Sequence, residues 1–186
     1  GYVFAVFAAF GELFIQLFVG DDFSQAYWIA LIPMLPFMFV LAQTSTNAVL
    51  QALNKHKIRS LLLLVTAIAN IIISIILVKK IGMVGASWGT AFALFVGELL
   101  LVNIYLYRVI GLNMWHLYRE LIRYSLPAIL LTLVFAFAIK DYISATWIGL
   151  FIACGLTGVI YAICSYFVSL IPSERQKINR LVLKMS

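Results

Sequence analysis

Residues Ser60 to Gly82 read SLLLLVTAIANIIISIILVKKIG. No charged residue falls between Ser60 and Val78. A helix rises about 1.5 Å per residue and a bilayer's hydrocarbon core is roughly 30 Å thick, so about 20 apolar residues cross it. This run has that length. Lys79 and Lys80 then mark its end, and Gly82 suits the turn that follows. The stretch predicts a transmembrane helix, and the rest of the chain repeats the pattern.

Six candidate spans follow from hydropathy: about Gly1–Val19, Gln25–Ala52, Ser60–Val78, Met83–Tyr107, Tyr124–Ile139 and Ala145–Leu170. Pro33 and Pro36 interrupt the second and mark a bend or a hinge. Composition agrees. The 186 residues are 65% hydrophobic and only 11% charged, against about 25% charged in an average soluble domain. The expected fold class is an all-α integral membrane protein, a polytopic helical bundle. The composition argues against a soluble enzyme, a disordered regulator and a secreted disulfide scaffold. The net charge of +6 does not point to nucleic acid, because the cations lie at the ends of apolar runs. Cys154 and Cys164 sit ten residues apart in one run, which favours apolar packing over a disulfide or a metal site.

The cations orient the chain. Lys55, Lys57, Arg59, Arg108, Arg119, Arg123, Arg175, Lys177, Arg180 and Lys184 fall on one set of connections, and only Lys79, Lys80 and Lys140 on the other. The positive-inside rule places the first set, and both chain ends, in the cytoplasm. Gly1 opens directly into YVFAVFAAF without a charged leader or a cleavage-like site. That is not a signal peptide, and a fragment starting just before a span is expected.

Two further segments read as interfacial. From Asn113, the residues Met114, Leu117, Tyr118, Leu121 and Ile122 form a helical apolar stripe, with Arg119 and Arg123 available to lipid phosphates. After Pro172, Ser173 and Gln176 fit a capping box, and Ile178, Leu181 and Val182 form an apolar face among Arg175, Lys177, Arg180 and Lys184. A plain connector is the alternative for both. The organisation expected is 1–107 transport helices, 108–123 interfacial linker, 124–170 two peripheral spans and 171–186 basic tail.

Polar residues inside spans are costly against lipid, so their pattern is informative. Glu12 and Gln16 share a face of the first span with Ala5 and Ala8. Gln43, Asn47 and Gln51 recur along the second, Thr66, Asn70 and Ser74 along the third, and Ser87, Thr90 and Glu98 on the fourth, with Asn103 further along. Four striped helices point to a polar interior; interhelical hydrogen bonding alone is the competing account. Thr132 and Thr157, on the last two spans, can bond to their own backbone. Glu12 and Glu98 are the only acids well inside a span, with Glu98 near mid-membrane. They are candidates for a substrate or coupling-ion site together with Gln43, Asn47, Gln51 and Asn70. Gly85, Gly89, Ala93 and Gly97 form a small-residue ridge for close helix packing. No catalytic constellation, metal motif or phosphate-binding loop is present in the sequence, so neither enzyme activity nor a cofactor is expected.

The order of landmarks carries a resemblance. FIQLFVGDDFSQAY precedes NAVLQALNKHKIRS, then TAIANIIISIILVKKIG, MVGASWGTAFAL and the amphipathic YRVIGLNMWHLYRELIR. Over about Phe10–Arg123 the chain resembles the C-terminal part of bacterial polysaccharide or O-antigen flippases, of the multidrug/oligosaccharidyl-lipid/polysaccharide exporter superfamily. The last two spans match only by hydropathy. The resemblance implies a MATE-like transporter of two helix bundles, of which the N-terminal bundle lies outside this chain. It implies translocation of undecaprenyl-diphosphate-linked oligosaccharide across the bacterial inner membrane by alternating access, for surface polysaccharide biosynthesis. Membrane lipids and the polysaccharide polymerase machinery are the implied partners. One departure stands out. A diphosphate needs cations, and no Arg or Lys lies deep in a span; Arg59, Lys79 and Lys80 lie at helix ends. A cation-coupled multidrug antiporter of the same superfamily is the alternative. A membrane enzyme and a dimeric six-span assembly protein fit less well, the first because the external loops are short.

Overall fold

The computed structural model describes residues 1–44, 50–53, 56–111 and 113–169. Among these, six helices are long and apolar enough to cross a membrane. The chain runs α1 (Tyr2–Val19), a short 3₁₀ turn (Asp21–Phe23), α2 (Gln25–Ala42), α3 (His56–Ile81), α4 (Val84–Ala93), a π-helical stretch (Leu94–Val102), α5 (Asn103–Ile110), α6 (Met114–Lys140) and α7 (Trp147–Cys164). A second π-helical stretch, Ser165–Ser169, continues α7. The segment from α4 to α5 counts as one of these six, over Val84–Val109. Asn47 and the expected basic tail, 171–186, lie outside the described residues.

Local chemistry sets the helix ends. Gly82 and Gly111 take positive φ angles of 72° and 73° after α3 and α5. Their N–H groups return to the carbonyls of Val78 and Tyr107, the left-handed cap that glycine adopts without steric cost. At the start of α7 the Thr146 hydroxyl accepts from the Gly149 N–H at 3.1 Å, an N-cap that satisfies one orphan donor.

Two compact units are present. One comprises Gly1–Leu17 and the chain from Arg119 onward. Its core is built from Ala9 and Phe10 of α1, Ala136 of α6, and Leu150 and Ala153 of α7. The Tyr2 hydroxyl donates to the Cys154 carbonyl at 2.7 Å, and Tyr2 stacks near Tyr161. Small residues at Ala9, Ala136 and Ala153 let the three helices approach, as membrane helices do when packing replaces hydrophobic drive. Thr132 and Thr157 are buried and donate to the carbonyls of Ala128 and Ala153 one turn back, as their positions predict.

The other unit is Phe18–Tyr118. Here α4 packs most extensively on α3 and next on α2, and the π-helical stretch also touches both. A methyl group at Gly85 would strike the backbone of Leu77; one at Gly89 would strike Ser74, and one at Gly97 would strike Thr66. Ala93, between Gly89 and Gly97 in sequence, is buried. Another face of α3, with Leu61, Leu64, Ile68, Ile71, Ile72 and Ile75, is exposed. Water would not tolerate so continuous an apolar stripe; hydrocarbon does.

Two boundaries differ from the sequence reading. The polar stripes group the first four spans together, but α1 as far as Leu17 belongs with the last two helices. Its buried face is Ala5, Ala9 and Phe10, which fits the small residues of α6 and α7. The interfacial helix expected from Asn113 and the span expected from Tyr124 form one continuous helix, α6. Nothing between them breaks helical geometry, and Pro127 lies inside α6.

Candidate functional site

In the Phe18–Tyr118 unit, five polar side chains from the end of α2, α3, the π-helical stretch, α5 and the start of α6 converge. Gln43 follows the last residue of α2 and is only 1% exposed. Its Nε2 donates to the Glu98 backbone carbonyl at 3.2 Å and to Asn103 Oδ1 at 2.9 Å. It also donates to the Tyr118 hydroxyl. Asn103 Nδ2 donates to the Leu99 carbonyl at 2.6 Å and to the Tyr118 oxygen at 3.2 Å. The ring of Phe39, one turn before Gln43, meets Tyr118 edge to face at 6.0 Å.

The π-helical stretch explains part of this arrangement. Such stretches are rare and leave the regular i→i−4 ladder. Here the Glu98 and Leu99 carbonyls, in its C-terminal half, both accept side-chain hydrogen bonds. A carbonyl oxygen has two lone pairs, so each of these can accept from a side chain, Gln43 or Asn103, as well as from the helix itself.

Glu98 projects its carboxylate to Arg59, with Nη2 and Oε2 3.3 Å apart. Both side chains are nearly buried, at 11% exposure for Arg59 and 13% for Glu98. Arg59 belongs to the first turn of α3, so its long side chain carries a cation inward from the helix end. Two buried polar atoms have no hydrogen-bond partner among the described residues: Gln43 Oε1, an acceptor, and Arg59 Nε, a donor. In the same unit lies an apolar cluster of Leu50, Val102, Tyr105, Leu106 and Met114, with Leu62, Leu63 and Tyr118 packed on it. Tyr118 thus joins the polar set to the apolar core.

The other sequence candidates fall elsewhere. Glu12, in the other unit, pairs with Lys140 at 3.0 Å in an exposed setting. Asn70 accepts from Ser74 along α3 at 2.9 Å, and Thr66 bonds to Leu62 of its own helix. Gln51 is exposed. Pro36 is buried and Pro33 half-buried within α2. Of the sequence candidates, then, the structure joins Gln43 and Glu98. It adds Arg59, Asn103 and Tyr118, which the sequence presents as a helix-end cation, a further polar residue and part of an apolar stripe. No group of three or more metal-ligating side chains occurs among the described residues.

Comparison with family models, curated proteins and solved structures finds no match to this chain.

Proposed function

We propose that the chain is the C-terminal part of an inner-membrane flippase that translocates undecaprenyl-diphosphate-linked oligosaccharide from the cytoplasmic to the periplasmic leaflet. The reading rests on the ordered landmarks of the sequence. The observation that favours it most is the Gln43–Arg59–Glu98–Asn103–Tyr118 cluster. It gathers amide, hydroxyl and guanidinium groups within a span-rich unit, the chemistry that polar substrates need. Arg59 is a cation of the kind a phosphorylated lipid requires, held by Glu98 at 3.3 Å and open to a phosphate once that pair separates. The distribution of basic connections favours a cytoplasmic location for this end of the unit, the side from which such a substrate enters.

The antiporter reading is weaker on one count. Glu98, its natural coupling site, already holds Arg59 as counter-ion at 3.3 Å, so a transported cation would have to displace the guanidinium.

Deletion of the encoding gene tests the proposal. Lipid-linked repeat units should accumulate on the cytoplasmic leaflet and surface polysaccharide should be lost, with recovery from a plasmid copy. Normal external exposure of the repeat units in the deletion strain would refute it.

A further inference from the structure

The polar cluster joins elements that are far apart in sequence, and three observations bear on whether it stays joined. Its bonds tie the end of α2, the first turn of α3 and the start of α6 to one short stretch of backbone, Glu98–Asn103. That stretch is π-helical through Val102, a rare geometry that occurs mostly as single turns and often at functional sites. The closed arrangement is also imperfect, because Gln43 Oε1 and Arg59 Nε are buried without partners among the described residues. A buried group left unsatisfied favours any state that hydrates it. These are the properties of a contact set balanced between two arrangements.

We infer that the Arg59–Glu98 ion pair, braced by Gln43, Asn103 and Tyr118, is a latch that holds this end of the unit closed over the Val102–Leu106 core and releases during the working cycle. Release separates the carboxylate from the guanidinium, hydrates both, and admits water to the adjoining apolar cluster. The inference deepens the transporter reading of the same cluster, but opening can be observed with no substrate present.

The test is cysteine labelling of the full-length protein in nanodiscs, with Cys154 and Cys164 replaced by alanine. Val102 is 0% exposed beside the latch, and Ala153 is 0% exposed in the other unit. With the native pair, Val102→Cys should react slowly with a small water-soluble thiol reagent. Arg59→Gln or Glu98→Gln should speed it at least tenfold. Arg59→Lys, and the exchange Arg59→Glu with Glu98→Arg, should return it toward the slow rate. Ala153→Cys should stay slow throughout. An unchanged Val102→Cys rate in both single variants would overturn the latch. So would an equal rise at Ala153→Cys, which signals general loosening, or an exchange variant that labels as fast as the singles. Neither result depends on which substrate is carried, so failure here is separate from failure of the gene-deletion test.

Discussion

A glutamine amide has two donors and a carbonyl to satisfy, and Gln43 places its donor side against three acceptors: the Glu98 carbonyl, Asn103 Oδ1 and the Tyr118 hydroxyl. Its role is therefore that of a donor. Gln43→Leu should lower stability by about 1–3 kcal/mol, the usual consequence of leaving buried acceptors unmet. Gln43→Glu should be worse, because it sets a carboxylate against a carbonyl and an amide oxygen in a dry site. Thermal unfolding of the full-length protein in detergent measures both, and equal midpoints for the two variants would contradict the donor role. Gln43 and Glu98 stand out in the sequence because a polar side chain inside an apolar run is conspicuous. Their partners do not. Arg59 lies 39 residues from Glu98 and Tyr118 lies 75 from Gln43, and periodicity within one helix carries no information across such separations. Tyr118 is further disguised by fitting an apolar stripe, since a tyrosine is apolar in body and polar only at its tip.

Among the elements, the packing of α3 against α4 and the π-helical stretch shows what the small-residue ridge does. Gly85, Gly89 and Gly97 each face an atom of α3 where a methyl group would not fit. Gly97→Ala should therefore overpack against Thr66 and cost about 1–3 kcal/mol, with partial relief from Thr66→Ala. Gly155 supplies the contrast: a methyl group placed there would meet no atom within 4 Å. Gly155→Ala should be neutral or stabilising by roughly 0.5–1 kcal/mol, through backbone entropy alone. Chemical denaturation of these variants separates the two classes, and a similar loss at Gly97 and Gly155 would contradict the packing. Spans are legible in the sequence because apolar runs of bilayer length have few other uses. The π-helical stretch is not, because LFVGELLLV has no feature that distinguishes a five-residue from a four-residue hydrogen-bond repeat. The continuity of α6 is hidden because a change from amphipathic to wholly apolar composition looks like a boundary, yet it need not break a helix.

The cation distribution predicts that cysteines replacing Asp22, Met83 and Tyr142 react with an impermeant reagent added outside intact cells, whereas those replacing Leu53 and Trp115 react only after permeabilisation. Met83, Trp115 and Tyr142 are 70%, 76% and 88% exposed, so labelling there reports sidedness rather than burial. The reverse pattern would invert the cytoplasmic entry on which the proposed direction of transport depends. Translocation itself is the most direct measurement. The full-length protein, reconstituted into liposomes, would be given undecaprenyl-diphosphate-linked oligosaccharide in one leaflet, and the glycan's arrival in the other would be followed by its access to an added glycosidase. The flippase reading predicts protein-dependent transfer that Arg59→Gln and Gln43→Leu reduce. Transfer no faster than in protein-free vesicles, with proton-driven efflux of a cationic dye in its place, would contradict it.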